Sequence, residues 1–319
     1  MIGLREIETA AELVYQHLPP TPQYRWPLLS ARVGAEVWVK HENHTPIGAF
    51  KVRGGLTYMA DLKARQPDVP GVITATRGNH GQSVAYAARA HGIRAVVVVP
   101  HGNSVEKNRA MRAFGAELVE HGRDFNAAYD HAQALAARDG LHLLPSYHPL
   151  LASGVGTYSL EFLRAVPDLD TVYVPIGLGS GITGMIAARD GLNAKTEIVG
   201  VVSENAATYA LSVAAGKPVP TDSAETMADG LAVRVPNPDA VGVIAVGAAR
   251  VVTISDGEIA AAMRAYFADT HNVAEGAGAA PLAALLREKD RMAGRTVGLI
   301  LSGGNVDTNI FQDILAGSS

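Results

Sequence analysis

The stretch TVYVPIGLGSGITG, residues 171–184, decides the fold. It opens with four residues, TVYV, that show no polar alternation. Such a run fits a strand buried on both faces, as in a parallel sheet. The run then breaks into the glycine-rich turn GLGSG (177–181), which leads into a helical segment. The same order recurs along the chain. Strands are expected at EVWVK (36–40), GVITA (71–75), RAVVVV (94–99), TEIVGVV (196–202) and TVGLIL (296–301). Helical periodicity runs through 79–91, 104–114, 124–138, 150–165, 205–215, 276–288 and 305–316. Strands alternating with helices predict an α/β protein with parallel sheets. The Pro-rich segment 216–239 has no clear period and reads as an irregular loop close to a site.

Ligands of open α/β sheets bind beyond the carboxyl ends of the strands. Four expected strands are followed there by glycine-bearing turns: HENHTPIGAFKVRGG (41–55), TRGNHGQS (76–83), PIGLGSGITG (175–184) and SGGN (302–305). Their convergence says more than any one of them.

Composition narrows the function classes. Only 18% of residues are charged and 48% are apolar, with 33 glycines and no cysteine among 319 residues. Ordinary proteins carry about 25% charged residues and about 7% glycine. The balance excludes an intrinsically disordered chain and a disulfide framework. A net charge of −4 argues against a nucleic-acid partner, which needs a basic surface. Charges at Arg5, Glu6, Glu8 and Glu12 leave no apolar core for a signal peptide. The longest apolar run, AVVVVP (95–100), is too short to span a bilayer. A cytoplasmic protein of one or two domains with a small-molecule partner is expected.

Individual residues leave alternatives open. Glycines at 177–181 would let backbone N–H groups approach a phosphate at a helix start, or would simply make a tight turn. The segment lacks a P-loop lysine. Lys51 at a helix start opposes the dipole, so it is either a solvated surface residue or a buried amine able to form a Schiff base. Asn79 and Ser302 stand where helix N-caps stand. His41 and His44 have no third ligand at metal spacing.

Taken together, AFKVRGG (49–55), TRGNHGQS (76–83), GLGSG (177–181), ADG (228–230), AEGAGAA (274–280) and LSGGNVD (301–307) resemble, in this order, the fold type II pyridoxal-phosphate enzymes. The nearest likeness is to their serine/threonine dehydratase and serine racemase branch. The resemblance implies a tryptophan synthase beta-like fold, two doubly wound parallel-sheet domains with the cofactor between them. A large discontinuous domain would cover 1–54 and 148–319, and a small mobile domain 55–147. A homodimer is implied as well.

The same resemblance implies roles. Lys51 would hold pyridoxal 5′-phosphate and later serve as the base at Cα. Phe50 would pack beside the ring, and Asn79 would hydrogen-bond its 3′-hydroxyl. Gly177, Leu178, Gly179, Ser180 and Gly181 would hold the phosphate. Ser302 would meet the pyridine nitrogen, with Gly230 and Glu275 near the ring. Thr76, Arg77, Gly78, Asn79 and His80 would cradle the substrate carboxylate. A serine, unlike an aspartate, cannot keep the pyridine nitrogen protonated, which favours loss of a β-leaving group over transamination. The implied activity is dehydration and deamination of a β-hydroxy-α-amino acid (threonine, serine, phenylserine or 3-hydroxyaspartate) to a 2-oxo acid and ammonia. The alternatives are an amino acid racemase, a β-replacement synthase of the same fold, or a non-catalytic cofactor-binding protein.

Four departures from the family pattern stand out. Ala49 replaces a serine. Arg77 replaces the serine that serves racemases as a second acid/base, and a guanidinium exchanges protons poorly; it suits a carboxylate instead. Glu204 fits the first ligand of a Mg²⁺ or Ca²⁺ site, but 205–216 offers no second carboxylate. The chain ends at Ser319 soon after the last helix, so feedback control through a regulatory domain is not expected.

Overall fold

The computed structural model describes residues 2–317. The strands are β1 (Gln23–Arg25), β2 (Glu36–His41), β3 (Val72–Ala75), β4 (Ala95–Val99), β5 (Glu117–Glu120), β6 (His142–Leu143), β7 (Thr171–Pro175), β8 (Glu197–Ser203), β9 (Arg250–Ile254) and β10 (Thr296–Leu301). They form two sheets, one ordered β1-β2-β10-β7-β8-β9 and the other β5-β4-β3-β6. Every pairing is parallel except that of β1 with β2. The architecture is the α/β class expected, with helices on the sheets.

All six expected strands are present. The four that sequence patterning did not reveal are short or lie at sheet margins. β1, β5 and β9 are edge strands and β6 has two residues. An edge strand is covered on fewer sides and needs no unbroken apolar run; β5, ELVE, is exposed at both ends. The loop expected over 216–239 holds only a 3₁₀ turn, Asp229–Leu231, and gives way earlier than expected to a helix at Pro238–Gly247. Asn237 caps that helix by accepting from the Ala240 N–H, and Pro238 fits its first position, which needs no donor. The helices Leu4–Val14, Pro27–Val33 and Asp256–Thr270 were not anticipated either.

Strand order positions the site. β10 comes last in the chain yet lies between β2 and β7. This brings the segments after β2, β10 and β7 side by side, although they are far apart in sequence. Ala49 and Gly303 form a β-bridge, the Phe50 N–H donates to the Ser302 carbonyl (3.0 Å), and the Gly304 N–H to the Gly48 carbonyl (2.9 Å). The helix Lys51–Arg65 is therefore stitched to the end of β10 at its first residue. It also crosses the helix Pro149–Ala165 at van der Waals contact of the backbones. A Cβ on Gly54 would fall 2.7 Å from the Leu151 carbonyl oxygen, and one on Gly154 2.5 Å from that of Arg53.

Beneath this crossing lies a buried charge cluster. Arg53 donates to Glu42 (2.7 Å) and Glu161 (2.6 Å), and Lys40 donates to Glu161 (2.6 Å). Two cations face two carboxylates, so the cluster is neutral. Thr21 and Thr157 satisfy remaining hydrogen-bonding positions, as buried charges require.

Candidate active site

Lys51 is the first residue of its helix and half-buried. Its Nζ lies 4.8 Å from the centre of the Phe50 ring. Burial pushes the amine down to about 8, although the Glu275 carboxylate opposes the shift. An amine so placed has an appreciable neutral fraction near neutral pH and is a competent nucleophile. Phe50 itself packs edge-on against buried Tyr158.

Asn79 begins the helix Asn79–Ala90 after β3, but Gly78 holds the N-cap position. The Asn79 side chain is thereby free to face the cleft. Its Nδ2 donates to Glu275 Oε1 (2.6 Å), and its Oδ1 accepts from Asn305 Nδ2 (2.8 Å), which also donates to the Ile47 carbonyl (2.8 Å). Ser302 likewise caps no helix, since the next begins at Thr308 behind Asp307. It is buried at the end of β10. Glu275 is buried at the N-cap of the helix Gly276–Arg287, and burial raises its carboxyl against the pull of Lys107.

Thr76 is buried, and its hydroxyl accepts from the Gly78 N–H (3.1 Å), fixing the turn after β3. His80 Nε2 is buried without a partner among the described residues. Burial and the Lys51 charge push this imidazole down to about 3, so it is neutral. Arg77 points outward, exposed, and forms no ion pair among the described residues.

The turn after β7 carries Gly177, Leu178, Gly179 and Ser180 into the helix Ser180–Gly191. Gly179 has φ +98°, which favours glycine. A Cβ on Gly177 would overlap the Gly230 carbonyl oxygen, and one on Gly181 would crowd the Tyr158 hydroxyl. The Leu178 carbonyl is held by the Tyr209 hydroxyl (2.8 Å). The first N–H groups of the helix have no partner within it and point at the turn.

A family model described as pyridoxal-phosphate dependent enzyme matches residues 14–303. The chain belongs to that family. The L-threonine ammonia-lyase of Geobacter sulfurreducens is 38% identical over 98% of this chain and 75% of its own length. The L-threo-3-hydroxyaspartate ammonia-lyase of Saccharomyces cerevisiae is 29% identical over 98% and 96%. Among solved structures, the processed form of threonine deaminase isoform 2 from Solanum lycopersicum matches with a TM-score of 0.91 at 29% identity, covering 99% of this chain and 95% of that one.

The residues fit the family's cofactor. A lysine amine kept partly neutral, a glycine cradle at a helix start for a phosphate, and an unpartnered buried imidazole beside the amine meet at one end of the β2–β10–β7 layer. A divalent cation has less support. Glu204 is exposed at the end of β8, and no group of three His, Cys, Asp or Glu suited to a metal occurs among the described residues. The His41 and His44 rings stack at 4.8 Å, and Trp26 Nε1 donates to His41 Nε2 (3.0 Å), a packing role. No helix among the described residues is long and apolar enough to cross a membrane.

Three residues at the site escaped the sequence reading. Asn305 sits inside a quoted motif but gave no sign that it would orient Asn79. Lys107 and Asp229 pair at 3.1 Å across the cleft. Lys107 lies in an ordinary helical pattern, and nothing in that pattern marks it.

Proposed function

We propose that this chain is a pyridoxal-phosphate-dependent ammonia-lyase that converts a β-hydroxy-α-amino acid to a 2-oxo acid and ammonia. The observation that carries the reading is the Lys51 amine, lowered by burial and within reach of the Glu275 charge, next to Phe50, whose N–H pairs with Ser302, a serine and no carboxylate, at the end of β10. Its likeness to two ammonia-lyases supports the same reaction class.

In this reading Lys51 holds the cofactor, Phe50 packs beside its ring, Asn79 and Ser302 hydrogen-bond its polar atoms, and residues 177–181 hold its phosphate. Gly230 and Glu275 border the ring. When bound, the cofactor draws electron density from the substrate Cα. The Lys51 amine, partly neutral because burial lowers it, would take the Cα proton. The Thr76–His80 turn binds the substrate carboxylate through backbone N–H groups and neutral His80, orienting the Cα–H bond toward Lys51. The β-hydroxyl departs as water, and a second water later replaces the nitrogen, which leaves as ammonia. One water is lost and one gained, so substrate and products balance. Exposed Arg77 offers no acid/base partner to Lys51, which favours elimination over racemisation.

The domain boundaries at 54/55 and 147/148 belong to the same reading, because β3 to β6 all fall between β2 and β7. So do the homodimer, a cytoplasmic setting and phenylserine among the substrates. A panel of β-hydroxy amino acids, in both diastereomers, scored for 2-oxo acid release tests the activity. Release from at least one is expected. A preparation with bound cofactor that releases none would remove the proposal.

A further inference from the structure

The N-cap and first turn of the helix Val105–Ala113 belong to the unit built on the four-stranded sheet, yet Ser104, Glu106 and Lys107 there grip the other unit. Ser104 Oγ donates to Asp307 Oδ1 (2.5 Å) and accepts from the Lys107 N–H (3.0 Å). The Thr308 N–H donates to Glu106 Oε1 (3.1 Å), which puts a carboxylate at the start of the helix Thr308–Ala316. Lys107 Nζ donates to Asp229 Oδ2 (3.1 Å). Asp229 opens the 3₁₀ turn whose Gly230 carbonyl abuts Gly177.

Lys107 also touches the turn proposed to bind the substrate carboxylate. A Cβ on Gly78 would fall 2.8 Å from Lys107 Cδ, so the lysine stem lies against this glycine. Its side chain is almost wholly buried. Burial works against the ammonium, but the Glu275 and Asp229 carboxylates hold its pKa above the ordinary value. The cation thus persists between the two units at working pH.

We propose that Lys107 is a positioning residue: by gripping Asp229 across the cleft it seats the Thr76–His80 turn against the substrate when the two units are closed. This rests on the ammonia-lyase reading for its substrate, and on geometry alone for the clasp. A turn that is displaced binds and orients substrate less well, while the cofactor contacts of Lys51 and residues 177–181 are untouched.

The test uses the holoenzyme with L-threonine and two variants, Lys107→Met and Asp229→Asn. Each is expected to raise KM about tenfold while kcat changes less than about threefold, the pattern of a lost binding contact. The double variant should add little to either one, because the two act as a pair. Affinity for pyridoxal phosphate, followed by fluorescence, should stay within about twofold, because Glu275 and Asn305, not Lys107, hold the Asn79 amide. Independently of turnover, amide hydrogen exchange at 76–80 and 104–108 should rise in both variants. Unchanged KM with unchanged exchange, additive effects, or loss of the cofactor would each overturn the proposal. If the wild type turns over no hydroxy amino acid but exchange still rises in both variants, the clasp stands and the functional reading fails.

Discussion

Asn79 Nδ2 donates to Glu275 Oε1 at 2.6 Å, joining the turn after β3 to the start of the helix Gly276–Arg287. With Asn305 holding its oxygen, the Asn79 amide is fixed from both ends. Glu275→Ala removes the acceptor and leaves a half-buried donor unpaired, at a cost of about 1–3 kcal/mol. We expect a lower melting temperature and about tenfold weaker binding of pyridoxal phosphate, from the disordered Asn79 amide. Fluorescence titration and thermal denaturation of the same preparations check both.

Burial sets the pH dependence of Lys51. Only the neutral amine attacks a carbonyl, and the amine titrates at about 8. The rate at which the cofactor-free protein captures pyridoxal phosphate should therefore rise with pH through about 8 and then level off. A rise that continues toward 10 would show a solvated lysine. Lys51→Ala should show neither capture nor 2-oxo acid release. Stopped-flow absorbance measures the rate.

Gly55 is matched to Ser83. The Ser83 hydroxyl donates to the Lys51 carbonyl (2.6 Å), and a Cβ on Gly55 would overlap that hydroxyl. Gly55→Ala should cost about 1–3 kcal/mol from overpacking and should also move Lys51. Adding Ser83→Gly to Gly55→Ala should recover part of the melting temperature. If the double variant melts lower than Gly55→Ala alone, the clash is not the cause.

The cluster under the helix Lys51–Arg65 makes the fold acid-sensitive. Burial opposes the Glu161 charge, yet Arg53 and Lys40 hold its carboxyl below the usual value. A carboxyl depressed on folding stabilises fully above its unfolded pKa, and this stability is lost as pH falls through the folded value. Glu161→Gln leaves two buried cations short of a partner and should cost about 3–5 kcal/mol at pH 7. Urea midpoints measured from pH 7 downward should fall less steeply for Glu161→Gln than for the wild type.

By itself the sequence determined the buried strands and the turns behind them. A strand covered on both faces must be apolar throughout, and TVYV, AVVVV and TVGLIL carry that requirement in their composition. Glycine at 177, 179 and 181 was equally legible, because only glycine tolerates both a positive φ at 179 and the backbone contact at 177. Lys51, Asn79 and Ser302 stood out through ordered motifs; the structure places Lys51 and Ser302 beyond β2 and β10 of one sheet and Asn79 beyond β3 of the other. What the sequence did not determine was adjacency. Only the insertion of β10 between β2 and β7 puts Ser302 beside Phe50, and only the meeting of the two units puts Lys107 on Asp229 and Asn79 on Glu275. Local patterning records which face of an element is buried. A side chain that is polar because its partner lies more than a hundred residues away leaves no periodic trace, so tertiary packing alone decided those pairs.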